Sequence, residues 1–127
     1  MKIARILTTA IVMLLLAGCD QENKVSLTLV QYNVGAFSKY DSSSVEAIAE
    51  AVMEMKADAV TLNEVDSCTV RTGDLDQLGA FAESMGGWNH HYAAAMPYKG
   101  GAYGVGVAAK PELEVVRTDR IALPKLD

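Results

Sequence analysis

Asn33 and Glu64 are the residues whose type and position could hold an ion. Asn33 lies near the end of a run rich in β-branched and apolar residues, Val25–Val34, and Glu64 near the end of a second, Ala59–Val65. Neighbouring strands of an α/β sheet deliver such residues to one crevice beyond their carboxyl ends. An amide and a carboxylate there make an oxygen-rich site suited to a hard cation such as Mg²⁺. The plain alternative is an exposed glutamate in water. Arg71, in the loop after the second run, offers a planar fork of donors that fits phosphate oxygens. It could equally pair with Asp66 or Asp74.

Other reactive residues carry less. His90 and His91 form a pair, but adjacent strand residues point to opposite faces, so both cannot enter one site. Cys68 has no histidine or lysine neighbour in sequence to activate it and reads as a semi-buried, inert thiol. Met53, Met55, Met85 and Met96 read as core filler. Gly104-Val105-Gly106-Val107-Ala108-Ala109 formally matches a dinucleotide fingerprint, but that motif must open a helix, and here Pro111 interrupts β-rich flanks.

The elements that must position these residues follow from periodicity. After the first strand, Ser43 with Glu46 predicts a capping box. Val45, Ile48, Ala49, Val52 and Met55 then recur at helical spacing, and Lys56 falls in the last turn. The second strand is followed by a loop, Asp66–Gly73. Asp74 with Gln77 predicts another cap before the stripe Leu75, Leu78, Phe81, Ala82 and Met85, which Gly86-Gly87 ends. Three short strand-like runs follow, Asn89–Met96, Tyr103–Ala109 and Leu113–Thr118. The order β-α-β-α-β-β-β predicts a mixed α/β fold, with no internal repeat.

Composition separates a leader from the rest. Lys2 and Arg5 precede an apolar run of 12 residues, Ile6–Ala17, short of the roughly 20 that span a bilayer. It suits a secretory signal over residues 1–18. Leu16-Ala17-Gly18-Cys19 resembles a bacterial lipobox, which predicts lipidation of Cys19, a tether over residues 19–24 and a folded domain over 25–127. The expected location is the cell envelope, lipid-anchored and exported, with inner and outer membranes both open. The 127 residues carry 11 basic and 16 acidic side chains, a formal charge of −5. Removing residues 1–18 takes away two of the 11 cations and shifts the charge to −7. An acidic chain without a basic stripe is not expected to hold duplex nucleic acid stably. With Cys19 lipidated, Cys68 has no partner for a disulfide.

Tyr32-Asn33-Val34 and Leu62-Asn63-Glu64-Val65-Asp66 together resemble the first two motifs of the endonuclease/exonuclease/phosphatase superfamily. The likeness continues through Arg71-Thr72-Gly73 and Asp76-Gln77. It extends to Tyr98-Lys99-Gly100-Gly101-Ala102-Tyr103-Gly104-Val105-Gly106-Val107 and to Ala122-Leu123-Pro124. It implies the N-terminal half of a DNase I-like four-layer α/β sandwich, a mixed sheet with helices on one face. It also implies that Glu64 holds Mg²⁺ or Mn²⁺, that Asn33 beside it fixes ligand and phosphate geometry, and that the chemistry is metal-assisted hydrolysis of a phosphate ester. The substrate classes it leaves open are a lipid head group, a sugar phosphate or a nucleotide.

The pattern also departs from that superfamily. Tyr103-Gly104-Val105 stands where members often have Tyr-Gly-Asn, and valine cannot replace the amide's polar contacts. The later Asp-x-Asn and Ser-Asp-His motifs do not follow Thr118, and the resembled domain is about twice this length. The expectation is therefore a phosphoesterase fragment with an incomplete metal site, inactive by itself. The alternative is a non-catalytic truncated lipoprotein or binding module. A lone half sandwich is further expected to leave an extensive apolar patch on the sheet face opposite the helices.

Overall fold

A computed structural model describes residues 24–37 and 44–122. The leader, Cys19, Ser43 and Leu123-Pro124 lie outside the described residues. Four strands form one mixed sheet: β1 (Leu29–Asn33), β2 (Ala59–Ser67), β3 (Asn89–Tyr98) and β4 (Gly101–Ala109). Their spatial order is β1-β2-β4-β3, with β1 parallel to β2 and the other pairs antiparallel. Helix α1 (Val45–Glu54) links β1 to β2, and α2 (Gln77–Ser84) links β2 to β3. The chain is a small α/β protein, as its alternation predicts. Among the described residues no helix is long and apolar enough to cross a membrane.

Both helices cover one sheet face. Val45, Ile48, Ala49 and Val52 of α1 are buried at the predicted helical spacing, and so are Leu78, Phe81 and Ala82 of α2. They meet Val60, Leu62 and Val65 of β2, with Trp88 and Met85 closing the core. β4 presents Gly104, Gly106 and Ala108 to the same side. A Cβ on Gly106 would sit 2.7 Å from Leu78 Cδ1, so the missing side chain sets how closely α2 approaches. Each buried Leu or Phe contributes about 1.5–3 kcal/mol of apolar burial.

Several boundaries differ from expectation. β1 starts at Leu29 rather than Val25, and β2 runs on to Ser67, taking in residues expected in a loop. The N-cap of α1 is Ser44, and its hydroxyl donates to Phe37 O instead of capping the helix. Lys56 lies past the helix, with φ +53°. The N-cap of α2 is Asp76, again without a side-chain cap bond, and Leu75 is exposed. Gln77 is not a capping partner; it is a buried bridge, described below. Gly86 and Gly87 both take positive φ and end α2 as predicted. β3 continues through Pro97 to Tyr98, and β4 begins two residues early at Gly101. Leu113–Thr118 forms no strand, since the expected alternation finds no partner ladder there.

The other sheet face is open. It carries Leu29, Met96, Val105 and Val107, all exposed, interleaved with Gln31, Asn33, Thr61, Asn63 and half-buried His91. Residues 115–122 flank its β3–β4 side, where a cavity of about 600 Å³ lies between Ala93, Val105, Ile121 and Ala122. Of the four methionines read as core, only Met85 is buried. Met53, Met55 and Met96 are exposed: Met53 lies on the solvent side of α1, Met55 is its C-cap, and Met96 belongs to β3 on the open sheet face.

Candidate metal and phosphate site

The carboxyl ends of the parallel β1 and β2 share one edge of the sheet with the β3–β4 hairpin, because β4 runs antiparallel to β2. Asn33 and Glu64 meet there. Asn33 Nδ2 donates to Glu64 Oε1 at 2.8 Å. The Gly35 N–H donates to Asn33 Oδ1 at 3.0 Å, which settles which end of the amide faces the carboxylate. Asn33 thus orients Glu64 through its nitrogen.

A β-bulge aims Glu64. Asn63 pairs with Val105 and Val65 with Gly104, leaving Glu64 as the extra residue, with φ +60°. Without it, alternation from Val60 and Leu62 would point Glu64 toward the helices. The bulge sends its side chain to Asn33 and Tyr103 instead, and places Asp66 opposite Tyr103. A non-glycine residue in left-handed conformation costs about 1 kcal/mol or more, and such strain concentrates at functional sites.

Next to it the chain makes another left-handed turn, Gly35–Phe37, with φ of +53°, +54° and +53°. Tertiary contacts hold it. Gln77 Nε2 donates to Ala36 O at 2.7 Å while Gln77 Oε1 accepts from Asp66 N at 2.8 Å, so one buried amide ties β1's exit to β2. The Phe37 ring lies 6.1 Å from that of Phe81.

Arg71 sits on the short turn Val70–Thr72 and pairs with Asp66, one of the two partners expected for it. Nε donates to Oδ2 at 2.6 Å and Nη2 to Oδ1 at 2.7 Å. Asp66 is 0% exposed and also accepts from Thr69 Oγ1 at 2.7 Å, whereas the Arg71 side chain is 35% exposed. The Arg71 hydrogen bonds hold the Asp66 carboxyl below the usual carboxylate range, against the opposing effect of burial. The same bonds raise Arg71. The guanidinium lies 4.6 Å from the Tyr98 ring centroid and 5.7 Å from that of Tyr103. The fork uses two of five donors, so the others remain for a ligand.

Tyr103 joins the two clusters, since it lines the cleft beside Glu64 while its ring packs by Arg71. Burial first, then the Glu64 charge, push its phenol pKa up. Gly35, Glu64, Arg71, Met96, Tyr98 and Tyr103 line a cleft of about 310 Å³. Asn33, Glu64 and Arg71, the residues singled out from sequence, come together at this cleft. Tyr98, Tyr103 and Gln77 were not singled out as site residues. Tyr98 and Tyr103 flank a two-residue hairpin turn on one sheet face, a spacing from which they could have been found. Gln77 had no such signal.

The remaining candidates lie elsewhere. His90 is exposed, while His91 is half-buried on the open face with its Nε2 lacking a hydrogen-bond partner. Cys68 is free and exposed rather than semi-buried, because φ +53° turns it out of β2's end. Gly104–Ala109 lies within β4, so the fingerprint reading fails as expected. Among the described residues no group of three or more His, Cys, Asp or Glu gathers around one point. Comparisons with family models, curated proteins and solved structures found no match for this chain.

Proposed function

We propose that this chain carries the Glu64 portion of a metal-dependent phosphoesterase site, within the N-terminal half of a DNase I-like sandwich. The reading rests on the sequence resemblance to the endonuclease/exonuclease/phosphatase superfamily. One observation carries it further: the bulge at Glu64, which turns a single carboxylate onto Asn33 at the sheet's carboxyl edge.

The donor set fits a hard cation. Mg²⁺ keeps several waters and takes one or two carboxylates plus substrate phosphate. A carboxylate offers about four lone-pair sites, of which Asn33 uses one. Glu64 would hold the ion; Mn²⁺ suits the same oxygens. Asn33 acts as the positioning residue, its oxygen being engaged by Gly35. The bound cation would neutralise phosphoryl charge. Arg71 would donate its free N–H groups to a phosphoryl oxygen, and its stacking on Tyr98 keeps the fork in place. No imidazole lines the cleft, so binding without turnover is expected of the chain as it stands. A non-catalytic binding module would carry the same residues.

The test is Mn²⁺ added to ¹⁵N-labelled full chain in maltoside micelles. Amides of Asn33, Glu64 and Tyr103 should broaden first. Glu64→Ala should weaken the ion's affinity by about tenfold or more. Broadening centred elsewhere, or unchanged in Glu64→Ala, overturns the assignment. Mg²⁺-stimulated hydrolysis of bis(4-nitrophenyl) phosphate, lost in Glu64→Ala, would establish catalysis over mere binding.

A further inference from the structure

The wall of the cleft facing Glu64 is built as a unit of its own. The Lys99 carbonyl accepts from the Val70 N–H at 2.9 Å, which fastens the β3–β4 hairpin to the turn carrying Arg71. Lys99 turns its backbone at φ +43°, and its Nζ lies 5.4 Å from the Tyr98 ring centroid. Two cations, Arg71 and Lys99, therefore share one aromatic ring. Cations on a ring face are held by its quadrupole, and two of them repel unless an anion lies near. Asp66 supplies part of that balance but is fully covered, with both oxygens engaged by Arg71 and Thr69. The donors Arg71 has left, and the Lys99 ammonium, are the cationic groups available to a ligand.

We infer that Arg71 and Lys99, braced on Tyr98, bind a phosphate oxyanion without needing a metal. The inference rests on the phosphoesterase reading and narrows it to small phosphorylated ligands. A cleft of about 310 Å³ lies at the lower end of the range for small-molecule sites, roughly 300–1,000 Å³. The phosphate could be free or at the end of a lipid head group, and the chemistry of recognition is the same. Glu64 opposes the anion by charge until a cation covers it. The wall is thus the recognition half of the cleft and the carboxylate its ion-holding half.

The two halves separate experimentally. Inorganic phosphate is titrated in EDTA, at low ionic strength, into the full chain in dodecyl maltoside, following the Arg71 Nε–H and Lys99 amide resonances. Saturable shifts are expected, weakened about 3- to 5-fold in Lys99→Met and about tenfold in Arg71→Lys. Lys110→Met, which removes a lysine paired with Asp58 at the opposite end of β4, should bind as wild type. Glu64→Ala should bind phosphate as well as or better than wild type, although it loses Mn²⁺. A second arm replaces phosphate with phosphatidic acid in the micelle, with phosphatidylcholine as control. Shifts with phosphatidic acid alone assign the lipid source, and shifts with inorganic phosphate assign the free one. No saturation in either arm, or equal weakening in Lys99→Met and Lys110→Met, overturns the proposal. A wild-type chain that binds phosphate but no Mn²⁺ would overturn only the metal assignment.

Discussion

At the scale of single residues the Asp66–Arg71 pair sets the terms. A buried carboxylate is tolerated only when its oxygens are taken up, and both are. Arg71→Met removes the fork and leaves Asp66 buried with Thr69 as its side-chain partner. Breaking a buried pair costs about 3–5 kcal/mol, and the partial exposure of Arg71 lowers the expected loss to about 2–3 kcal/mol in urea unfolding. The pair also predicts a pH dependence. Because the folded-state pKa of Asp66 is depressed, its stabilisation is complete above the unfolded value of about 3.9 and vanishes as pH falls through the folded value. The gap between wild type and Arg71→Met should therefore hold from neutral pH down to about 4 and close below it. A gap unchanged at pH 2 would show that packing, not charge, accounts for the loss.

At the scale of elements the bulge in β2 is decisive. It takes Glu64 out of alternation, and the strain of φ +60° accompanies the gain in aim. Glu64→Ala and Glu64→Gly both delete the carboxylate, but only glycine relieves the backbone. The glycine variant should be about 1 kcal/mol more stable than the alanine variant by thermal unfolding. Equal stabilities would mean that the strand has slipped to a regular register. Glycines elsewhere permit close approach: a Cβ on Gly101 would lie 2.1 Å from Ser67 O, so the hairpin bearing Tyr98 and Lys99 can reach the end of β2 only without one.

At the scale of the whole molecule, two helices cover one sheet face and leave the other to solvent. Val105 and Val107 are 45% and 38% exposed on that open side. An apolar face of this kind favours association. Val107→Lys is expected to keep the chain monomeric at about tenfold higher concentration in sedimentation velocity while leaving its unfolding midpoint nearly unchanged. Identical sedimentation of both proteins would show that polar Gln31, Thr61 and Asn63 already protect the face. At the far end of the sheet, Asp58 accepts from Lys110 Nζ and Thr28 N, each at 2.8 Å, and so fastens the start of β2 to the end of β4. The binding residues and this clip occupy opposite ends, so the cleft's residues are free of that structural duty.

Much of the α/β pattern, most of both helical stripes and the meeting of Asn33 with Glu64 were legible in the sequence. Side-chain periodicity and residue type are local properties, and burial rewards them wherever a core forms. The strands ended where pairing partners ran out, which no local pattern records: β2 gained Ser67 by pairing with Ala102, while Leu113–Thr118 found no ladder. Gln77 reads as a cap by spacing, yet a buried amide bridging Ala36 and Asp66 satisfies more backbone groups than a cap would. What the sequence by itself determined was the class of fold and which side chains could do chemistry. The direction of Glu64, the choice of Asp66 as partner of Arg71 and the shared cation platform on Tyr98 were decided only by tertiary structure. Each depends on a backbone geometry or a neighbour that exists only once distant strands have paired.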